Sequence, residues 1–263
     1  MKRFLGKSAL VTGGGGGIGG AIAERLAFEG AAVGVLDRRG EAAADTAQRI
    51  EAAGARGMAL TAEITDPDSV AAALETMTDA IGAPDVLINN AAWAIRGDLE
   101  STELADWQAE IGIDLDGQFV CAKAVLPGMV ARGTGAIVNI GSVNGLMALG
   151  NPAYSAAKAG LLSFTRSLAV EYGPKGVRTN MVSPGTVETD IETWRIRREK
   201  NPQIFEQLAR WYPVGRVGRP DDIAAAVAFV AADEAAFVNG ANLVVDGGLT
   251  AGLPVMIEEL ILE

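Results

Sequence analysis

Ser8-Ala9-Leu10-Val11-Thr12-Gly13-Gly14-Gly15-Gly16-Gly17-Ile18-Gly19-Gly20 is the stretch that decides the fold. A short apolar run ends in glycines, and the glycines open a segment, Ile18 to Glu29, with apolar positions at helical spacing and Gly30 as a stop. That order is strand, tight turn, helix. Glycines placed there let backbone N–H groups and the helix N-terminus face a pyrophosphate with no Cβ atoms in the way. The run satisfies Gly-x-Gly-x-x-Gly in two registers, so the pattern alone says little. Its position between a buried strand and a helix is what argues against a flexible glycine linker.

The same alternation continues outward. Ala32 to Leu36 reads as a strand ending at Asp37, Glu41 to Ala53 as a helix, Met58 to Thr61 as a strand, Pro67 to Ile81 as a helix and Val86 to Ile88 as a strand. A long helical pattern from Glu103 to Ala131 follows, which Pro127 is expected to end or kink. Ala136 to Ile140, Val177 to Val182 and Asn242 to Val245 are the remaining strands, with helices at Ala153 to Tyr172 and Asp221 to Ala232. Strands apolar on both faces that alternate with helices predict one α/β domain over residues 1–263. It is a Rossmann-like, doubly wound parallel sheet of about seven strands with helices on both faces. Ligands in such folds bind beyond the carboxyl ends of the strands.

Composition narrows the function. The chain has 263 residues and a net charge of -11, a field that repels nucleic-acid phosphates and anionic membranes. Met1 to Gly6 has neither the apolar run nor the cleavage site of a signal peptide, and no apolar run is uninterrupted enough to span a membrane. A single cysteine, Cys121, in apolar helical surroundings reads as core packing in a reducing compartment. A cytoplasmic enzyme is the expectation.

Asp37 lies about twenty residues beyond the glycines, where a carboxylate accepts hydrogen bonds from both ribose hydroxyls. This favours NAD over NADP, whose 2'-phosphate would meet a like charge. The adjacent Arg38 and Arg39 argue the other way, since guanidinium groups hold phosphate.

There is no histidine in the chain, which removes imidazole from acid/base work and from metal ligation. No metal site is expected. Tyr154 and Lys158, one helical turn apart with Ser142 upstream, are the best remaining proton-handling group. Lowering a tyrosine pKa by about two units takes roughly 3 kcal/mol of preferential phenolate stabilisation, which a nearby ammonium and an oxidised nicotinamide together can supply. Taken alone, a Tyr and Lys at this spacing form a surface contact more often than a catalytic pair.

These motifs, in this order from Gly6 to Gly248, resemble the short-chain dehydrogenase/reductase family. Thr12-Gly13-x-x-x-Gly17-Ile18-Gly19 resembles its cofactor loop, Asn89-Asn90-Ala91-Ala92 its Asn-Asn-Ala-Gly motif, and Pro184-Gly185-Thr186-Val187-Glu188-Thr189 its nicotinamide-side loop. The likeness implies that Val187 and Thr189 contact the carboxamide beside Pro184 and Gly185, and that Asn90 lies in the cofactor ribose region. It implies that Glu63 and Ile64 flank the adenine, where members usually carry an acidic residue and Val. It makes Tyr154 the general acid/base, Ser142 the holder of the substrate oxygen, and Lys158 a ligand of ribose hydroxyls as well. One departure stands out: aligned through Leu115-x-Gly117-x-Phe119, the family's catalytic Asn is Asp114 here. An ionised Asp114 opposes a tyrosinate nearby. It therefore points away, pairs with Lys158, or marks weakened catalysis.

The segment 190–216 is expected to fold over the substrate as a lid. Its Trp194-Arg195-Ile196-Arg197-Arg198 patch is either a solvated face with Arg195 paired to Glu199, or an Arg clamp for a carboxylate or sulfonate led by Arg195. Trp93 and Asn144 are read as pocket-lining or as packing and turn residues. The tail 249–263 alternates apolar and acidic residues and is expected to cover a neighbouring subunit of a homo-oligomer, a tetramer or dimer as the family likeness implies. The leading function is an NAD-dependent oxidoreductase acting on a secondary alcohol or ketone, a small molecule that is anionic if the clamp reading holds. Its rivals are an NADPH-dependent 3-oxoacyl carrier-protein reductase and a cofactor-sensing or scaffold protein that lost its chemistry.

Overall fold

Seven parallel strands form one sheet in the computed structural model, which describes residues 2–94, 97–252 and 255. The strands are β1 (Ser8–Thr12), β2 (Ala32–Asp37), β3 (Arg56–Thr61), β4 (Val86–Asn89), β5 (Gly135–Ile140), β6 (Val177–Pro184) and β7 (Asn242–Val245). Their spatial order is β3-β2-β1-β4-β5-β6-β7, so the chain reverses direction across the sheet between β1 and β4. Leu10 pairs with Gly34 on one side and Leu87 on the other. The helices that leave β1 and β4 go to opposite faces, and a crevice opens at the carboxyl ends of these two strands.

Alternation along the strands sends side chains to two separate cores, as a period of two requires. Val11, Val35, Ile88, Val138 and Val182 pack with α1 (Gly17–Phe28) and α9 (Pro220–Ala231). Leu10, Leu36, Leu87 and Ile137 pack on the other face, with α3 (Pro67–Ile81), α5 (Gly117–Arg132) and α6 (Pro152–Tyr172). The remaining helices are α2 (Gly40–Ala52), α4 (Leu104–Ile111), α7 (Glu192–Lys200) and α8 (Ile204–Ala209). Asp66 caps α3 by accepting the Asp68 N–H at 3.0 Å, and Pro67 occupies the first turn, where its missing N–H costs nothing. Cys121 is fully buried in the second core, and burial pushes its thiol up to about 12.

Two expectations are corrected. The pattern from Glu103 to Ala131 is not one helix: a π-helical stretch, Gly112–Asp116, separates α4 from α5. Pro127 does not end α5, which runs on to Arg132, because Pro127 lies on the exposed face. There the carbonyl it deprives of a donor can turn to water. The irregular segment 190–216 contains the two short helices α7 and α8. Apart from residues 249–252 and Val255, the tail lies outside the described residues. Among the described residues no helix is long and apolar enough to cross a membrane, and no group of acidic or Cys side chains has the makings of a metal site.

Candidate active site

The glycine run fills the crevice at the end of β1, and its register is set by contact. Gly13 and Gly17 have φ of 62° and 54°, in the left-handed region that suits glycine. A Cβ on Gly19 would lie 2.2 Å from the Gly13 carbonyl oxygen and 2.4 Å from Asn90 Nδ2, so α1 approaches the turn only because Gly19 has no side chain. Ile18, between them, packs against the first core. Asn90 Nδ2 donates to the carbonyls of Thr12 at 2.9 Å and Gly13 at 3.1 Å. The Asn90 amide thus helps to set the shape of the glycine turn. Thr12 Oγ1 accepts the N–H groups of Asn90 and Ala91, which ties β1 to β4 at the point where the sheet reverses.

Asp37 ends β2 and is nearly buried. Its carboxylate accepts the Gly15 N–H at 3.1 Å and the Arg39 N–H at 3.0 Å, and it pairs with Arg39 Nε at 3.4 Å. Arg38 and Arg39 are exposed. Glu63 turns back on its own loop to accept from Thr65, while Ile64 is buried against Gly117. On the other side of the crevice Pro184 closes β6 and Gly185 follows it. Val187 and Thr189 are buried, and Thr189 Oγ1 has no hydrogen-bond partner. A buried hydroxyl left unpaired calls for an external polar group. With the open glycine turn opposite, these residues fit a nicotinamide dinucleotide.

Tyr154 and Lys158 lie on the first turns of α6, whose cap Asn151 accepts the Tyr154 N–H. Lys158 Nζ is 5.4 Å from the Tyr154 ring centre. It donates to the Ile140 carbonyl at the end of β5 at 3.2 Å, and stands 3.0 Å from Asp114 Oδ1. That last contact is a charge pair more than an aligned hydrogen bond, since Asp114 Oδ1 has no well-directed donor. Asp114 Oδ2 accepts the Trp93 N–H at 3.3 Å. Of the three readings of Asp114, pairing with Lys158 is the one the geometry has. Ser142, nearly buried after β5, reaches the Tyr154 hydroxyl.

The electrostatics differ from the simple picture of a lysine lowering a tyrosine pKa. Burial pushes Tyr154 up, Lys158 pulls it down, and Asp114 and Glu110 push it up again, so its pKa stands above the usual tyrosine value. Burial alone would lower Lys158, but Asp114 and Tyr154 together outweigh it and the ammonium is stabilised. Burial likewise raises Asp114 against the pull of Lys158.

The other singled-out residues are placed as follows. The Trp93 side chain is 41% exposed at the rim. Asn144 Nδ2 donates to the Gly150 carbonyl and Ser155 Oγ, bridging its loop to α6. In the lid, Arg195 is exposed and no ion pair joins it to Glu199 among the described residues. Arg198 pairs with Asp190 at 2.6 Å, and Arg197 stacks on the Trp194 ring at 4.0 Å with its Nε buried and unpartnered. Tyr212 is a residue that sequence reasoning missed: it is buried, its hydroxyl accepts the Thr186 N–H at 2.8 Å, and its ring lies over Gly185. It moors the segment 190–216 to the loop after β6, and no motif around it announces this.

Comparison with known proteins places the chain in a family. Residues 14–250 match a family model described as enoyl-(acyl carrier protein) reductase. The chain is 42% identical over 252 residues to cis-4-hydroxycyclohexanecarboxylate dehydrogenase of Sinomonas cyclohexanicum, an alignment spanning 95% of this chain and 99% of that protein. It matches the structure of an oxidoreductase of the short-chain dehydrogenase/reductase family from Burkholderia thailandensis at a TM-score of 0.90 and 45% identity, over 98% of each chain. A gluconate 5-dehydrogenase from Burkholderia cenocepacia, solved with NADP and tartrate, matches at a TM-score of 0.88 and 35% identity, over 96% of this chain and 99% of that one. The chain belongs to the short-chain dehydrogenase/reductase family, and is a nicotinamide-dependent oxidoreductase of CH–OH and carbonyl groups.

The Gly19 contact generates a test. Gly19→Ala is expected to cost about 1–3 kcal/mol through overpacking, seen as a lower melting temperature together with loss of the thermal stabilisation by added nicotinamide dinucleotide. Undiminished stabilisation by the dinucleotide would contradict the register.

Proposed function

We propose that the protein oxidises a secondary alcohol, and reduces the matching ketone, with NAD as cofactor and Tyr154 as the proton carrier. The observation that carries this reading is the convergence of the Ser142 hydroxyl, the Tyr154 phenol and the buried Lys158 ammonium beside the nucleotide crevice. Ser142 holds the substrate oxygen by hydrogen bond. Tyr154 takes the hydroxyl proton in oxidation and returns it in reduction. Lys158 has three donors; Ile140 takes one, Asp114 faces a second, and the third remains for ribose hydroxyls. When bound, the nicotinamide supplies the hydride acceptor or donor. Thr189, Val187, Pro184 and Gly185 hold its carboxamide side, and Asp37 its adenosine ribose.

NAD is favoured over NADP because the Asp37 carboxylate is fixed in place by Gly15 and Arg39, and a 2'-phosphate brought there meets a like charge. The gluconate dehydrogenase solved with NADP keeps the alternative in view. For substrate class, hydroxy acids and their keto partners are the reading, with the 195–198 arginines of the lid as the anion-binding element. The names of two relatives, acting on a hydroxycyclohexanecarboxylate and on gluconate, support it. Within that cluster Arg197 has the unpaired nitrogen, whereas Arg195 stands in solvent. Copies of the chain are proposed to assemble through the α5–α6 face, where Phe119 and Phe164 form an apolar groove 6.2 Å from ring to ring.

A panel of hydroxy acids, neutral secondary alcohols and sugars, each with NAD and NADP, tests the reading. NAD is expected to exceed NADP in kcat/KM by about tenfold or more, the effect of roughly 1.4 kcal/mol, and hydroxy acids to exceed neutral alcohols. Tyr154→Phe is expected to lose about a thousandfold in kcat while still binding NADH. Near-normal turnover would remove Tyr154 from the role. A scaffold protein without chemistry would show no turnover on any member of the panel.

The charge of Asp114 sets the pH dependence. A carboxylate nearby raises a phenol pKa, so its removal lowers it. In Asp114→Asn the rise of alcohol-oxidation kcat/KM with pH is expected to move to lower pH by roughly one unit. A rise that stays in place or moves upward would show that Asp114 does not govern Tyr154.

A further inference from the structure

The π-helical stretch leaves one carbonyl without its helical donor. The Gly117 N–H, which would bond Ile113 in an α-helix, goes to the Gly112 carbonyl instead. The orphaned Ile113 oxygen accepts from a side chain, Gln118 Nε2, at 3.0 Å. The same Nε2 donates to the Ala91 carbonyl at 2.7 Å, on the segment that follows β4. Two residues further along that segment, the Trp93 N–H reaches Asp114 Oδ2. Gln118 is itself fully buried, and its own carbonyl accepts from Asn89 Nδ2 at 3.1 Å, while Asn89 Nδ2 also reaches Asn139 Oδ1 on β5 at 2.9 Å. One amide thus bridges the two pieces of backbone that hold the Asp114 carboxylate.

We infer that Gln118 is the positioning residue of the Asp114–Lys158 pair. Its two donors lock the π-helical stretch against the segment after β4, and so fix the carboxylate at 3.0 Å from Lys158 Nζ. This rests on the proposal that Asp114 governs Tyr154. The two accepting carbonyls are part-buried, so loss of the amide costs both oxygens a well-placed donor and favours a shift of the turn. The groups facing Asp114 are Lys158 and Tyr154 on α6, with Glu110 one turn earlier on α4; none is altered by changing Gln118. Gln118 bears no charge, so an effect of its loss on the pH profile has to pass through a charged group that it positions, and Asp114 is the one held by the backbone it bridges.

The test compares pH profiles of kcat/KM for alcohol oxidation in the native protein, Gln118→Met, Asp114→Asn and the double variant. Gln118→Met is expected to move the rise to lower pH by roughly half a unit, with KM for NAD kept. The double variant is expected to match Asp114→Asn. Gln118→Asn, whose amide is too short to span both carbonyls, is expected to shift the profile in the same direction and serves if the Met variant does not fold. A profile unmoved in either Gln118 variant, with Asp114→Asn displaced, overturns the role of Gln118 and leaves that of Asp114 standing. A further displacement in the double variant also overturns it, because Gln118 would then act by another route. If Asp114→Asn itself leaves the profile in place, the Asp114 reading falls and the inference with it.

Discussion

A lysine ammonium that is 2% exposed must find compensation for the water it has lost, and in this protein that need organises the active site. Lys158 takes the Ile140 carbonyl at the carboxyl end of β5 and the Asp114 carboxylate from the π-helical stretch between α4 and α5. Asp114 is buried within that stretch, whose wider turn frees the Ile113 carbonyl, which Gln118 satisfies. The consequence reaches Tyr154. Burial raises the phenol, a lysine that shares its charge with Asp114 pulls it back less, and the pKa of Tyr154 stands above its ordinary value.

This arrangement favours the protonated phenol in the free protein, the form needed to donate to a carbonyl. On the proposed function, oxidation of an alcohol would use the phenolate, and a bound, positively charged nicotinamide would add to the attraction that Lys158 supplies. That proposal makes proton transfer depend more on cofactor occupancy than it would with a neutral residue at 114. The buried, unpaired Thr189 hydroxyl on the opposite wall is left waiting in the same sense.

Much of this was legible in the residues. Strand and helix order followed from apolar periodicity, because central strands such as β1 and β4 are buried along their whole length and read as short apolar runs, whereas the edge strand β3 is largely exposed. The glycine register was ambiguous as a pattern and is resolved by packing: only a three-dimensional contact singles out Gly19 against the Gly13 carbonyl. Asp114 was recognisable as a departure from the family, but its choice between three behaviours depended on the π-helical stretch, which leaves no mark in helical periodicity. Asn90 also braces the glycine turn through two adjacent carbonyls, a role that its position in the sequence did not announce. Tyr212 and Gln118 were missed for a shared reason: each acts by bonding backbone groups far away in the chain, and such pairings have no local signature.

The most direct measurement is the titration of the tyrosine ring by NMR in protein labelled at the tyrosine Cζ carbon. The chain has three tyrosines, so Tyr154 is assigned by comparison with Tyr154→Phe. In the cofactor-free protein Tyr154 is predicted to titrate above the free-tyrosine value of about 10. A midpoint below that value would mean that Lys158 acts on the phenol with its full charge, and would contradict the account of the Asp114–Lys158 pair.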